Sequence, residues 1–598
     1  MHTTGWATTD EIYIGDFFSI PVQLLQHNLS SEVVNQADAL LQGRHTFFSH
    51  QSVQLGAPPN WHGNLASVNS IHWSQIGDFD SGDIKLIWEP SRFDWVLIFA
   101  RAWLVSGEKK YLNALNSWLV DWIKKNPVNQ GVNWKCGQET SIRLMQLLLA
   151  AKLLDQQPND CLIRFVSEHC QRIASTLAYA MAQNNNHGTS EAAALFIGGS
   201  WLEGHHKKAK DWQIIGQRWL ENRAKCLIET DGSFSQYSVN YHRVVLDTFW
   251  MVEFWRRELG KNAFSERFYN RARMATHWLY QMVDPKTGDA PNLGNNDGAR
   301  LFLLTETDYR DFRPTLQVAS VLFYDKPLYS LKHKVSECLY WLGLCDHIKA
   351  ESEPPLKQQS QVFKEGGYAI LLNKNSKAII RFPRFRFRPS HADALHIDLW
   401  YKGQNLLRDS GSYSYNTEKQ WMTYFPGTRS HNTIEFDERD QMPKVSRFLF
   451  GKWLTTDLLT EIEEKEGGQL CWAASYTDYK GCSHHRQISV SDNRWKMTDT
   501  VSGHFNKAVL RWRLMPDKWI IQNNICQSDK AKIKVMCDVD IQRLEITEGW
   551  ESRYYLDKTP LPVLEVEIGA LNGASSARLT TYLTRVIPKN GVQDLSWQ

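Results

Sequence analysis

The sequence predicts an α+β multidomain fold in which a helical array is followed by an antiparallel β-sandwich. Three observations carry this. Between about residues 80 and 345, apolar side chains recur every three or four positions, the period of a helix with one buried stripe. From about residue 363 the apolar positions alternate instead, as in a strand with one buried face. Between the two regions, "HIKAESEPPLKQQSQ" is charged and contains two prolines, which suits a connection better than an element. At 598 residues the chain is also too long for one ordinary domain.

In chain order, helical spacing is clearest in "FDWVLIFARAWLVSG" (93–107), "YLNALNSWLVDWIKKN" (111–126), "TSIRLMQLLLAAKLLD" (140–155) and "VVLDTFWMVEFWRREL" (244–259). Short polar or Gly/Pro-containing joints such as "SGEKK", "NPVNQG" and "DPKTGDAPN" favour antiparallel helix pairs. Past the connection, "YAILLNKNSKAIIRF" (368–382) reads as two strands about an Asn/Ser turn. It is followed by strand-like "ALHIDLWYKGQNLLRDSG", "RQISVSDNRWKMTDTVSG" and "PVLEVEIGALNG", rich in Val, Ile and aromatic residues and broken by Gly, Asn and Asp.

Composition narrows the function. Lys and Arg total 68 against 65 Asp and Glu, a net charge of +3, so nothing in the global charge calls for nucleic acid. An anionic partner would be met by a local cationic site. The 25 tryptophans exceed what packing needs; most belong in a core, and the remainder offer flat faces for sugar rings. Ten cysteines without a CxxC pair read as reduced thiols. The start lacks a basic segment followed by an apolar run, and no stretch approaches about 18 apolar residues, so neither a leader nor a membrane span is expected. This places the protein in the cytoplasm, or in the periplasm if the N-terminus is incomplete. Its expected state is a monomer or a homodimer.

The chemistry-bearing residues fall in three groups. Asn185, Asn186 and His187 open an otherwise small-residue helix, with Glu191 one turn after His187 on the same face. Capping by one asparagine is the plain explanation; holding a ligand is the other. Downstream, "DGSFSQYSVNYHRVV" sets Tyr237 and Tyr241 four residues apart, ahead of His242 and Arg243. In the strand region His391, Asp393, His396, Asp409, His431 and Asn432 are spaced too widely for a local zinc knuckle. Residues on neighbouring strands, about 4.8 Å apart, can nevertheless converge.

Seven blocks in order carry a resemblance: "DIKLIWEPSRF", "NWKCGQETSIR", "NNNHGTSEAAAL", "DGSFSQYSVNYH", "PNLGNNDGAR", "SHADALHIDLWYKGQNLLRDSGSYSYN" and "FPGTRSHNTIEFDERDQM". Over roughly Trp73 to Arg513 the chain resembles the heparinase II/III superfamily of polysaccharide lyases, which includes oligoalginate lyases. The resemblance implies an N-terminal incomplete (α/α) toroid followed by the β-sandwich. The expected division is an N-terminal extension packing on the toroid (1–60), the toroid (61–345), a linker (346–362) and the sandwich (363–598).

The implied reaction is β-elimination on a uronic-acid polysaccharide or oligosaccharide, with bacterial surface polysaccharide metabolism as the expected setting. Asn186 is then the donor that neutralises the substrate carboxylate, with His187 beside it, and Tyr241 the proton-transfer residue with His187 and Arg243 as helpers. His391 is a fourth catalytic candidate, the sandwich residue placed nearest the substrate. Asn185, Glu191 and Arg243, with Trp134, Trp73, Trp88 and Arg92, are candidates for substrate binding, although Glu89 with Arg92 and Glu139 with Arg143 also read as helical ion pairs. His391, Asp409 and His431 resemble a zinc set of some family members, giving one structural zinc and no organic cofactor. Two other readings stand beside the lyase: a glycan-binding or assembly protein without turnover, and a metal-dependent hydrolase built on the His/Asp/His cluster.

Overall fold

The computed structural model describes residues 16–20, 31–63, 69–77, 83–345, 348, 353–492 and 494–586. Much of the expected linker (346, 347 and 349–352) and the first 15 residues, on which the leader reading rests, lie outside the described residues. Two compact units alternate along the chain: Met1–Gly232, Tyr241–His277 and Gly298–Leu356 form one, and Ser233–Asn240, Trp278–Asp297 and Lys357–Gln598 the other.

The first unit is helical. The expected segments become helices Asp94–Ser106, Lys109–Lys125, Gly137–Leu153 and Val239–Glu258, joined in the array by Asp160–Ala182, Asn186–Trp201 and Ala209–Leu227. Asn186–Trp201 packs on Gly137–Leu153, Asp160–Ala182 and Ala209–Leu227. Surrounded in this way, it buries every residue from Gly188 to Ser200, which is why that stretch is apolar or small apart from Glu191. Its glycines permit backbone contact: a Cβ on Gly199 would stand 2.5 Å from Gln213 N, and one on Gly216 of the facing helix 2.4 Å from Phe196 N.

One joint differs from expectation. "DPKTGDAPN" opens not a short turn but residues 283–312, which carry neither helix nor strand before helix Arg313–Tyr324 begins. Much of this segment is buried, and its backbone groups serve as acceptors for side chains: Gln146 Nε2 donates to Leu301 O at 2.6 Å and Arg101 Nη1 to Leu303 O at 2.8 Å.

The second unit is built from antiparallel sheets. A five-stranded meander runs through Gln361–Phe363, Tyr368–Asn373, Ser376–Arg381, Ile397–Tyr401 and Gln404–Leu407, with Asn373 opposite Ser376 at the expected turn. A four-stranded sheet pairs Ile541–Tyr554, Asp557–Gly569, Lys507–Arg513 and Ile434–Phe436. A nine-stranded sheet has Gln469–Thr477, Ser483–Ser491, Arg494–Ser502, Ser576–Arg585 and Ala531–Cys537 at its centre. Ser483–Ser491 and Arg494–Ser502 alternate buried and accessible residues, so one face feeds a common core holding Ile397, Trp472, Ile488, Met497, Trp512 and Leu564.

Candidate functional site

At the start of helix Asn186–Trp201, Asn185 takes the capping role: its Oδ1 accepts from His187 N at 3.0 Å. Capping therefore accounts for Asn185 and not for Asn186, which is buried at the first helical position. His187 is half-buried. One turn on, Glu191 is buried, and the start of helix Gly137–Leu153 meets it so closely that a Cβ on Gly137 would lie 2.5 Å from the Glu191 carboxyl carbon. Burial pushes this carboxyl up to about 8, against the pull of His187 and Arg172. At neutral pH Glu191 is thus a protonated acid, a donor that does not repel an anion.

Sequence reasoning missed Cys136, Gly137 and Arg172 in this neighbourhood. Arg172 donates to the carbonyls of Trp134 (2.8 Å) and Lys135 (2.7 Å) and lays its guanidinium 3.8 Å from the centre of the Trp73 ring. Burial lowers the Arg172 guanidinium and raises the Cys136 thiol. The block "NWKCGQE" was legible, but an arginine in the middle of a long helix carries no local mark of its partners.

Tyr241 is buried on helix Val239–Glu258. Tyr237 is not one turn below it on the same helix: its φ is 50°, the helix begins after it, and it belongs to the strand unit. There its hydroxyl accepts from Arg386 N (2.8 Å) and Phe387 N (3.1 Å), with the Arg381 guanidinium 4.7 Å from its ring. Arg243 departs from its expected part as helper. Positions two apart on a helix diverge, and its buried guanidinium donates to Tyr309 O at 2.5 Å while packing on Tyr309 and Phe312.

The expected sugar platforms divide. Trp134 is 1% exposed, packed against His169 and Trp122 with its Nε1 donating to Asn126 O, so it is a core residue with no face for a sugar. Trp73 and Trp88 are half-buried, Trp73 beneath Arg172 and Trp88 bonded to Val132 O. Arg92 is not a surface anion contact either. It is buried between two carboxylates, bidentate to Glu139 (2.7 Å for each bond) and bonded to Glu89. Glu139 accordingly pairs with Arg92 and not with Arg143, whose guanidinium donates to Asn133 O and Thr140 Oγ1.

In the strand unit the long spacings do converge. His391, Asp409 and His431 are all buried, and one potential ligand atom from each lies within 4.8 Å of the others. His431 Nδ1 is 2.8 Å from Asp409 Oδ2, and His391 Nε2 is 3.3 Å from Ser412 Oγ. Burial, reinforced by His431, depresses the His391 imidazole to about 3. Burial alone would raise the Asp409 carboxyl, yet His431 and the neighbouring imidazoles hold it below the usual carboxylate range.

The residues beneath the trio are also buried. Asn432 N donates to His396 Nδ1 (3.0 Å), which leaves the neutral His396 ring its proton on Nε2, the atom 3.5 Å from Asp409 Oδ2. The Asn432 amide donates to Ile397 O and accepts from Arg513 N. Arg486, on strand Ser483–Ser491, donates to Leu395 O at 2.5 Å and Asn432 O at 2.6 Å and pairs with Asp499 at 2.6 Å.

The chain's backbone matches a solved heparinase III with a TM-score of 0.69 over 95% of this chain and 87% of the other, at 17% identity. It matches a chondroitin AC lyase of Streptomyces coelicolor A3, in complex with chondroitin sulphate, with a TM-score of 0.55 over 93% and 83%, at 11% identity. In sequence it is 22% identical over 510 residues to a heparin-sulfate lyase of Bacteroides stercoris, 79% of this chain and 68% of the relative. With these solved lyases it shares its fold, an incomplete α/α toroid followed by an antiparallel β-sandwich. It belongs to the heparinase II/III-like family, matching the Heparinase II/III N-terminus over residues 18–307 and Heparinase II/III-like, C-terminal, over residues 355–568. Among the described residues no helix is long and apolar enough to cross a membrane.

Proposed function

We propose that the protein cleaves a uronic-acid-containing glycan of glycosaminoglycan type by β-elimination. A base removes the C5 proton, the electron pair forms the C4–C5 double bond, and the C4–O bond breaks with its pair leaving on oxygen, which takes up a proton. The obstacle is the substrate's own carboxylate, because an anion beside C5 makes that C–H a very weak acid. Donors aimed at the carboxylate remove the obstacle, and losing one such donor costs about 10²–10³ in rate.

The observation that carries this reading is the helix entrance at residues 185–191. Asn185 alone serves the cap, while a buried amide, a half-buried imidazole and a carboxyl shifted to about 8 follow it. In this reading Asn186 and neutral Glu191 offer donors to the uronate, and His187 stands beside them. Tyr241 carries the proton, as base when ionised and acid when neutral; its ordinary pKa of about 10 needs a nearby donor or cation to bring it into range. Mass spectrometry of products from heparan, chondroitin, alginate and bacterial surface uronate glycans tests the reading: unsaturated fragments support it, and saturated, water-added fragments overturn it.

His391, Asp409 and His431 fit one structural zinc in the same reading. Two imidazoles and a carboxylate suit the metal, and the buried His391 Nδ1 and His431 Nε2 have no hydrogen-bond partner among the described residues. A bound zinc would supply a fixed positive charge joining three separate chain segments. Ligation and proton transfer compete for the same ring of His391. Its burial and its depressed basicity favour ligation, so the proton steps are assigned to the helical unit.

A further inference from the structure

Helix Ala209–Leu227 buries Trp212, Gly216, Leu220 and Ala224 on the side that packs on helix Asn186–Trp201. Its opposite side carries Asp211, Ile214, Ile215, Arg218 and Lys225 at helical spacing, all exposed. Ile214 is 51% and Ile215 37% exposed, on a face where such a helix is ordinarily polar. Helix Asp160–Ala182 runs alongside: Lys208 Nζ donates to Gln171 Oε1 at 2.9 Å and Arg223 Nη1 to Met181 O at 3.0 Å. Tyr179 follows Gln171 by two turns on the same stripe and is 71% exposed. Around the isoleucines, Lys207, Lys208, Lys210, Arg218 and Lys225 are exposed. The exposed acids of residues 203–225 are Asp211 and Glu203, and Glu203 is already paired with Lys261.

We infer that this face docks on an anionic phospholipid bilayer, with Ile214, Ile215 and Tyr179 entering the headgroup boundary and the five cations meeting lipid phosphates. Charge complementarity selects an anionic partner, because the cations outnumber the acids and one acid is already taken. The isoleucines choose among anionic partners. A glycan offers hydroxyls, carboxylates and sulfates and gives an aliphatic side chain nothing to bury in, whereas the acyl boundary does. Tyrosine suits that boundary too, its ring on the apolar side and its hydroxyl in water. The face belongs to two packed helices, so no segment has to be ordered on binding. Such a contact lies on the bilayer and differs from a span, for which no described helix is long and apolar enough. It needs no turnover and stands independently of the lyase reading.

Co-sedimentation of the full chain with vesicles at about 0.15 M salt tests the docking face. The probes are vesicles of phosphatidylcholine alone and vesicles of three parts phosphatidylcholine to one part phosphatidylglycerol. Wild type is expected to bind the mixed vesicles and to stay in solution with the neutral ones. Ile214→Asn/Ile215→Asn should weaken the partition about ten-fold, and Lys207→Gln and Lys208→Gln about five-fold each. Ile520→Asn, at a 49% exposed isoleucine of the strand unit, should bind as wild type. Thermal midpoints identify a variant that fails to fold; should the isoleucine pair do so, Tyr179→Ser, with an expected loss of about three-fold, carries the test. Wild type that sediments with neither vesicle or equally with both, or a folded Ile214→Asn/Ile215→Asn protein that partitions like wild type, overturns the inference. So does retention on heparan sulfate beads that the lysine variants lose while no vesicle is bound, which would make this a glycan surface.

Discussion

Arg486 Nη1 donates to the carbonyl of Asn432 at 2.6 Å, across 54 residues of sequence, and the same nitrogen reaches Leu395 O at 2.5 Å. One buried cation thus fixes the backbone on either side of His396 and His431. Its charge is met by Asp499, whose carboxyl burial alone would raise but which Arg486 and His484 hold down at about 2. Removing Arg486 leaves Asp499 buried and half-paired, and strands two carbonyls. Arg486→Met is expected to lower stability by about 3–5 kcal/mol in chemical denaturation. The double variant Arg486→Met/Asp499→Leu should lose less than the sum of the single changes, because the unpaired charge is gone.

The trio makes a prediction that needs no activity assay. The purified protein should carry about one zinc per chain by elemental mass spectrometry, and a chelator should lower its thermal midpoint. Asp409→Asn should abolish the metal content and the chelator effect together. A metal-free wild type whose midpoint ignores both zinc and chelator would remove zinc from the proposal.

Glu191 predicts a pH dependence. Its carboxyl titrates at about 8 in the folded chain against 4.5 for an ordinary glutamate, so between those values the folded state holds a proton that the unfolded state has released. Stability therefore falls as pH rises from about 4.5 to about 8 and levels beyond. Ionisation above pH 8 also places a negative charge where the uronate should sit, so kcat/KM is expected to decline there. Glu191→Gln should flatten both profiles. The checks are thermal midpoints and kcat/KM across pH 5 to 10 for the two proteins.

Much of this was legible in the sequence because the signals were periodic or local. Helices 93–107 and 140–155 and the hairpin at 368–382 follow from apolar spacing and an Asn/Ser turn, and the Asn185 cap follows from its place before a helix. The His391, Asp409 and His431 convergence came from a resemblance in the order of motifs, since no local spacing announces three strands meeting. Trp134 and Arg92 were misplaced because residue type does not tell a packed indole from an exposed one, or a buried ion bridge from an anion contact; Glu139, which takes Arg92, lies 47 positions away. Tyr237 was misplaced by one unrecognised backbone feature, its positive φ just before the helix. Arg486 was invisible for the same reason as Arg172: an arginine in a regular element carries no sign of the distant carbonyls it will hold.

The proposed chemistry is tested most directly by incubating wild type and Tyr241→Phe with the acidic glycan panel and weighing the fragments. Wild type should release fragments one water lighter than hydrolysis would give, with the absorbance of a conjugated enoate, and Tyr241→Phe should slow their release by about 10²–10⁴-fold with the fold intact. Fragments carrying an added water, or a Tyr241→Phe protein as fast as the wild type, would contradict it.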